Sequence, residues 1–262
     1  MVNKPPGEIL QHLYLEERLR RLAPGTFLEV GPGRGAISAL LLDRGWRGIG
    51  CELGQESAAR LSIRFHQEIA DARYQVIQQS WLEVSQPQPV DLVISCMVME
   101  HLDHHMELAF MRHAAAALRP GGRMIGFVPA APRYWGIEDE IAGHYRRYTR
   151  TALLDLMARA GWTLDHVRGL TFPLSNLLLP LSNYLVRRAE QQLLALPMQQ
   201  RTVHSGSRMV RGKTHFPVVF RSLLNPVVMR PLHWLQKLCG GSEKALVLYF
   251  EALPTASATH QP

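Results

Sequence analysis

The residues best suited to chemistry lie in one short stretch, where the carboxylate of Glu29 precedes three alternate glycines, Gly31, Gly33 and Gly35. An apolar run before them and an apolar run at helical spacing after them predict a strand, a tight turn and a helix. Glycines let a ligand approach the backbone closely, and the free N–H groups at a helix start bind its polar end. A carboxylate here repels a pyrophosphate and attracts an ammonium group. The pattern therefore favours a ligand with an α-amino acid end and a ribose.

A second carboxylate, Glu52, lies 17 positions after Gly35, at the end of the second predicted strand. Its two oxygens can accept both hydroxyls of a ribose. Dinucleotide-binding folds share this feature, and their G-x-G-x-x-G/A pattern is loosely met by Gly31, Gly33 and Ala36. Glu52 therefore predicts an adenosine ligand without choosing between the two ligand classes.

A dense polar and aromatic loop, PAAPRYWGIEDEIAGHYRRYTR, fills residues 129–150 after the fifth predicted strand. Open α/β sheets bind ligands at the carboxyl ends of their strands. His144 is the first candidate general base, because imidazole titrates near neutral pH. His101 is the second candidate, and Tyr148 would orient the substrate. The remaining predicted substrate-binding residues are Tyr134, Trp135, Tyr145, Arg146 and Arg147. The competing interpretation is a lid in which both arginines pair with the acidic residues 138–140.

These residues are embedded in an alternating α/β pattern. Strands are predicted at 27–30, 46–51, 74–77, 91–96, 123–128, 162–168 and 244–253, and the main helices at 8–22, 55–70, 106–118 and 151–160. Asp103 is placed to cap a helix that starts near His104. The pattern predicts a Rossmann-like, seven-stranded, mostly parallel sheet with helices on both faces and a helical insertion before the last strand. We assign residues 1–170 to the core, 171–242 to the insertion, 243–254 to the final strand and 255–262 to a disordered tail.

Four sequence elements together resemble a known family. E-x-G-x-G-x-G at residues 29–35 resembles motif I of the class I S-adenosylmethionine-dependent methyltransferases, and D-L-V-I-S at 91–95, followed by E-H-L at 100–102, resembles their motif IV. L-R-P-G-G-R-M-I at 118–125 is also found across that family. W-G-x-E-D-E-x-x-G-H-Y-R-R-Y-T at 135–149 resembles a stretch in a bacterial small-molecule branch.

The resemblance implies S-adenosylmethionine as cofactor. The residues it implies for cofactor binding are Glu29, Gly31, Pro32, Gly33, Gly35, Glu52, Leu53, Ser80, Trp81, Ser95 and Cys96. Ser80 departs from the family, since an acidic residue usually stands there, although Trp81 could still stack on the adenine.

Two further departures from patterns found in the family narrow the range of substrates and metal sites. The family members that methylate base amino groups usually carry N/D-P-P-Y/F after the fourth strand, and its absence argues against such substrates. The ubiquinone-type O-methyltransferases use E-x-x-E-H as a divalent metal site. This chain has Met97 at the first position and keeps only Glu100 and His101. We therefore predict no metal.

Charge and composition indicate the compartment and the partners of the protein. Residues 1–170 hold 19 Lys/Arg and 19 Asp/Glu, whereas residues 171–262 hold 10 Lys/Arg and 3 Asp/Glu, so the last third carries the whole net charge of +7. Three dispersed cysteines indicate free thiols in a reducing compartment. The sequence shows no signal peptide and no run of ~20 apolar residues. We predict a cytoplasmic protein in which residues 171–242 contact a membrane surface, form a lid over a lipophilic substrate or form a homodimer interface. The alternative is a helical subdomain whose leucines pack on one another.

The sequence thus predicts a methyltransferase that acts on an apolar or amphipathic small molecule, lipophilic or anionic, with O-methylation favoured. Transfer would be an in-line displacement with His-assisted deprotonation. The alternatives are an NAD-dependent oxidoreductase, for which no Tyr-x-x-x-Lys pair is visible, and a non-catalytic assembly protein that binds S-adenosylmethionine. Methylation of nucleic acid would rest only on the basic last third and is disfavoured.

Overall fold

A computed structural model describes residues 4–84, 89–198, 200–202 and 224–255. The chain forms two compact units. The sheet unit comprises Ala23–Val128, Arg150–Val167 and Tyr249–Pro262, and the helical unit comprises Met1–Leu22, Pro129–Thr149 and Arg168–Leu248. The predicted disordered tail lies, apart from Thr255, outside the described residues, as do residue 199 and residues 203–223 of the predicted insertion.

Seven strands form one sheet in the order β3-β2-β1-β4-β5-β7-β6. The strands are β1 Thr26–Val30, β2 Arg47–Glu52, β3 Tyr74–Gln78, β4 Val90–Cys96, β5 Leu118–Pro129, β6 Trp162–Leu170 and β7 Val247–Pro254. The pairs β1–β2, β1–β4, β2–β3 and β4–β5 are parallel, and one antiparallel pair lies at the edge. The predicted fold class is confirmed.

Helices alternate with these strands. In the sheet unit they are α2 Ala36–Leu42, α3 Gln55–Arg64, α4 His66–Ala70, α5 His104–Ala116 and α7 Arg150–Arg159. The described part of the helical unit contains α1 Pro6–Leu19, α6 Ile137–Ala142, α8 Leu174–Glu190 and α9 Arg230–Leu238. Asp103 caps α5, accepting hydrogen bonds from the backbone of His105 and Met106, so that prediction is confirmed.

Two local predictions were wrong. The helix expected over 55–70 divides at Phe65, whose φ of −107° and ψ of 26° leave the helical region. Residues 119–122, which lie between the predicted helix 106–118 and the predicted strand 123–128, belong to β5. They form an irregularity there, because Val90 pairs with Leu118 while Leu92 pairs with Arg123.

The centre of the sheet explains where a ligand site can form. In β4 the side chains of Leu92, Val93 and Ile94 are fully buried, as expected for a central parallel strand covered on both faces. Val30 at the end of β1 lies between Cys51 of β2 and Ser95 of β4. The chain order reverses between β1 and β4, and open α/β sheets bind ligands at such a switch point.

In the helical unit, α1, α8 and α9 share an apolar cluster built on Ile9, Leu10 and Met229. The buried Gln236 of α9 fixes this arrangement. Its Nε2 donates to the carbonyl of Leu10 at 2.9 Å, and its Oε1 accepts from the backbone N–H of Thr171 at 2.9 Å. Within the described ranges, no helix combines the length and hydropathy needed to cross a bilayer.

Candidate functional site

The turn after β1 has a conformation that depends on glycine. Gly31, Gly33 and Gly35 have φ values of 67°, 54° and 70°, in the left-handed region. A Cβ at Gly31 would lie 2.6 Å from Cγ2 of Val98, and one at Gly35 would lie 2.5 Å from Cε2 of Phe65. The predicted tight turn is present, and no larger residue fits its first or third position without displacing a neighbour.

Glu52 ends β2 with its carboxylate held at both oxygens. Oε2 accepts the backbone N–H of Gly33 at 2.9 Å, and Oε1 accepts the backbone N–H of Gly54 at 3.0 Å. Because each carboxylate oxygen has a second lone pair, both remain able to accept a further hydrogen bond. The side chain therefore links the glycine turn to the start of α3 and presents a fixed two-oxygen acceptor at the carboxyl end of the sheet.

Glu29 lies in a buried hydrogen-bond chain. Its carboxylate accepts a hydrogen bond from Oγ of Ser38. The same Oγ lies 2.8 Å from the hydroxyl oxygen of Tyr74. Burial raises the pKa of Glu29 to about 7. The hydrogen bond from Ser38 opposes this shift, and the nearby charge of Glu52 adds to it. A buried carboxyl group that titrates near neutral pH can change its charge when a cation binds.

The predicted adenine-binding residues surround the end of β3. Ser80 precedes a 3₁₀ turn at Trp81–Glu83. The indole of Trp81 is buried edge-on to His113, with ring centroids 4.6 Å apart. Leu53, directly after Glu52, is exposed. Leu53 therefore offers an exposed apolar side chain beside Glu52, whereas the ring of Trp81 is largely covered.

The end of β4 carries a buried hydroxyl. Ser95 is buried, and its Oγ has no hydrogen-bond partner among the residues that the structure describes. Cys96 follows with a half-buried thiol, and Met97 has a φ of 55°. A buried hydroxyl without a protein partner is costly, so a bound polar group beside Ser95 would satisfy it.

Glu100 and His101, the two retained residues of the E-x-x-E-H pattern, lie in a 3₁₀ turn at Met99–His101. Glu100 is fully buried, and His101 is half-buried. The turn belongs to the sheet unit and follows β4 directly, so His101 stays a candidate base.

In the helical unit, Asp139 organises the loop over residues 129–149. This side chain is 1% exposed. It accepts hydrogen bonds from Nδ1 of His144 at 2.9 Å, Nε of Arg147 at 2.8 Å and the backbone N–H of Gly136 at 2.9 Å. Burial alone would raise the pKa of Asp139, but the hydrogen bonds from His144 and Arg147 hold it below its usual value.

This arrangement fixes the histidine ring. An ionised carboxylate can only accept, so Nδ1 of His144 carries the hydrogen, and Nε2 keeps a lone pair in the neutral ring. Arg147 continues the network through a 3.2 Å hydrogen bond from Nη1 to the carbonyl of Ala130. The predicted ion pairing of the loop is present for Arg147 with Asp139.

The other predicted residues of this loop differ in accessibility. Trp135 and Tyr145 are exposed, whereas Tyr134 and Arg146 are half-buried. Tyr148 is buried, and its backbone pairs with the end of β5, its N–H donating to the carbonyl of Pro129 at 2.8 Å. The exposed aromatics are available to a ligand, while Tyr148 supports the loop.

The residues absent from the sequence-based site are Asp139, Ser38 and Tyr74. Asp139 stands three residues after Gly136 at the start of α6, the spacing at which an acidic side chain caps a helix N-terminus. That spacing was a usable signal. Ser38 and Tyr74 carry no such signal, since 36 positions separate them and the fold alone brings their oxygens together.

The sheet unit fits a nucleoside ligand with an amino acid end. Glu52 and Glu29 supply carboxylates, the glycine turn leaves room for close approach, and Ser95 offers an unsatisfied hydroxyl within the described part of the chain. A family-wide profile described as a methyltransferase domain matches residues 7–167, more than half of the chain. This chain belongs to the methyltransferase-domain family.

Similar proteins agree with this assignment. Over 116 residues this chain is 32% identical to the ubiquinone biosynthesis O-methyltransferase of Paramagnetospirillum magneticum, covering 44% of this chain and 45% of that protein. Over 68 residues it is 41% identical to a probable ribosomal RNA small subunit methyltransferase A of Methanospirillum hungatei, covering 26% of each. The chain thus spans less than half the length of these curated relatives.

Among solved structures, the 1,6-didemethyltoxoflavin-N1-methyltransferase of Burkholderia thailandensis matches with a TM-score of 0.52 and 19% identity. The match covers 64% of this chain and 73% of that one, whose structure contains 1,6-didemethyltoxoflavin and S-adenosylhomocysteine. At this identity the similarity concerns the fold. The resemblance to the methyltransferases is confirmed at the level of the family, and the link to one bacterial branch through residues 135–149 stays a prediction.

Proposed function

We propose that this chain is an S-adenosylmethionine-dependent methyltransferase that modifies an apolar or amphipathic small molecule, with oxygen as the favoured acceptor atom. The observation that carries the proposal is the carboxylate of Glu52, held by the backbone of Gly33 and Gly54 at the carboxyl end of β2. Two fixed acceptor oxygens beside a glycine turn suit the two hydroxyls of a ribose.

The proposed cofactor contacts follow from the chemistry of each side chain. Glu52 would hold the ribose, and Glu29 would neutralise the methionine ammonium. Leu53 and Trp81 would contact the adenine, and Ser95 would donate to or accept from a polar group of the ligand. When bound, S-adenosylmethionine supplies an electrophilic methyl group on a sulfonium.

His144 is the proposed general base. Asp139 holds its Nδ1–H, so Nε2 is the nitrogen that can take the proton of an acceptor hydroxyl. Arg147 keeps Asp139 ionised and in place. His101 is the alternative base. Tyr148 would orient the acceptor, and its buried side chain limits its contact with a ligand.

The exposed rings of Trp135 and Tyr145 support an acceptor with a flat or apolar part. Arg146 would attract an anionic group. The relative from Paramagnetospirillum magneticum is named as an O-methyltransferase, which favours oxygen, whereas the Burkholderia thailandensis enzyme is named for a ring nitrogen.

An NAD-dependent oxidoreductase is a weaker candidate because the carboxyl group of Glu29 would face a pyrophosphate. To test the proposal, the purified protein would be incubated with methyl-labelled S-adenosylmethionine and a panel of amphipathic phenols and lipids. Label transfer together with release of S-adenosylhomocysteine is expected for at least one phenol. Transfer only to an amine or a thiol would overturn the preference for oxygen.

A further inference from the structure

The outward face of α8 is apolar along two turns. Leu177, Leu181 and Tyr184 are 76%, 56% and 59% exposed. They recur at four- and three-residue steps, so they share one face, and Arg188 continues it one turn further. A helix that packs on a protein core normally carries polar residues on the face turned away from that core.

The opposite face of α8 is the one that packs within the helical unit. Val186 is fully buried against Ile137 and Ile141 of α6. Asn176 donates to the carbonyl of Lys244 at 2.8 Å. The exposed apolar face therefore does not result from a loosely attached helix, because the other side of α8 is anchored.

The helix α9 repeats this pattern. Trp234 and Leu238 are each 63% exposed and lie one turn apart. Gln236, on the other side of the helix, is buried and bonded to α1. Arg230 lies one turn before Trp234 and is exposed. On each helix the exposed apolar face thus has an arginine at one end, Arg188 on α8 and Arg230 on α9.

We propose that these two faces bind an anionic lipid bilayer, with α8 and α9 lying on the membrane surface. Leucine, tyrosine and tryptophan side chains flanked by arginine are the composition of interfacial helices. Residues 171–262 hold 10 Lys/Arg against 3 Asp/Glu, which complements anionic headgroups. A second copy of the chain is a poorer partner, because it would bring the same positive charges together. Membrane binding of this kind does not depend on methyl transfer.

Flotation of the full chain with vesicles tests this proposal directly. We expect binding to vesicles of equal parts phosphatidylcholine and phosphatidylglycerol, and at least about tenfold weaker binding to phosphatidylcholine alone or in high salt. The double variant Leu177→Ser/Leu181→Ser and the variant Trp234→Ala should each reduce binding by about tenfold. Arg188→Glu/Arg230→Glu should abolish the preference for phosphatidylglycerol.

Leu154→Ser is the matched control, because Leu154 of α7 is also an exposed leucine but lies in the sheet unit. It should bind vesicles as the wild type does. Equal binding of all variants, or no binding to anionic vesicles, would overturn the proposal. So would a dimer in solution that Leu177→Ser/Leu181→Ser dissociates while vesicle binding is absent, since the face would then be an interface between copies. Circular dichroism confirms that each variant is folded.

Discussion

Asp139 accepts the Nδ1–H of His144 at 2.9 Å, five positions apart in the chain and within one short loop. The carboxylate of Asp139 is buried and also accepts a hydrogen bond from Nε of Arg147. Its orientation is therefore fixed before any ligand binds. Such a pair presents one imidazole nitrogen in a defined direction. This relationship turns a prediction based on residue type into a proposal about which nitrogen takes the proton.

The first prediction concerns this pair. His144→Ala should lower turnover by about 10²–10⁴-fold, the usual contribution of a general base, while affinity for S-adenosylmethionine is unchanged. Asp139→Asn should lower turnover in the wild-type background and have a smaller effect in His144→Ala, because part of its effect is exerted through the histidine. The measurements are kcat and ligand titration for the four variants of the cycle.

Glu140→Gln is the control for this cycle, since Glu140 lies next to Asp139 but has an exposed side chain. It should leave turnover unchanged. Full turnover in His144→Ala would show that His144 is not the base. Either His101 would then be the base, or the alignment of the reactants alone would account for methyl transfer.

The second prediction concerns Glu52. Glu52→Gln should weaken binding of S-adenosylmethionine by about 1–3 kcal/mol, because a charged acceptor is lost and an amide N–H faces a backbone N–H. Glu52→Ala should also lower stability, since Gly33 and Gly54 lose their acceptor. Glu56→Gln is the matched control on α3, where the side chain of Glu56 is exposed and pairs with Arg60. Calorimetry and thermal melting separate the two effects, and unchanged affinity in Glu52→Gln would remove this residue from the site.

The third prediction is a pH dependence. The pKa of Glu29 is raised to about 7 in the folded protein, so folding favours its protonated form. The stability that this provides is fully present below the ordinary pKa of 4.5 and is lost as pH rises to about 7, by up to about 3 kcal/mol. Glu29→Gln should remove this slope in chemical denaturation between about pH 5 and pH 8.

Ligand binding should show the opposite trend. An ammonium group binds the ionised carboxylate, so the affinity of the wild type for S-adenosylmethionine should rise as pH increases through about 7. In Glu29→Gln the affinity should be lower and nearly independent of pH over that range. An affinity with the same pH dependence in both proteins would show that Glu29 does not contact the ammonium group.

The fourth prediction compares two glycines with positive φ. Gly35 has a φ of 70° and closely approaches Phe65, whereas Gly121 has a φ of 80° and no atom of the described residues within 4 Å of where a Cβ would lie. Gly121→Ala should cost about 1–2 kcal/mol of folding free energy from backbone conformation alone. Gly35→Ala should cost about 1–3 kcal/mol more, because the new methyl group also overpacks Phe65. Equal losses in urea denaturation would contradict the close packing of the turn.

The sheet was predicted well from the sequence because its central strands are short apolar runs bounded by turns. Strands such as Val90–Cys96 are buried on both faces, which leaves little room for another interpretation. The prediction failed at Phe65 and at residues 119–122, where one residue leaves the helical region and a bulge lies inside a strand. Both features depend on packing against neighbouring elements rather than on local residue preference.

For the site, residue types could be predicted from the sequence but their partners could not. The spacing of Glu52 after the glycines predicted an acceptor for a ribose, whereas its bonds to Gly33 and Gly54 required the fold. Glu29 is predicted from the sequence to face an ammonium group, but its hydrogen-bond chain through Ser38 and Tyr74 joins residues far apart in sequence. Asp139 was treated as one member of an acidic run, since charge alone did not distinguish it from the acidic residues on either side.

The most direct test of the proposed function is calorimetric titration of the purified protein with S-adenosylmethionine, S-adenosylhomocysteine and NADH in parallel. We predict binding of the first two ligands, weakened by Glu52→Gln but not by Glu56→Gln, and no binding of NADH. Binding of NADH without either adenosyl ligand would contradict the methyltransferase proposal.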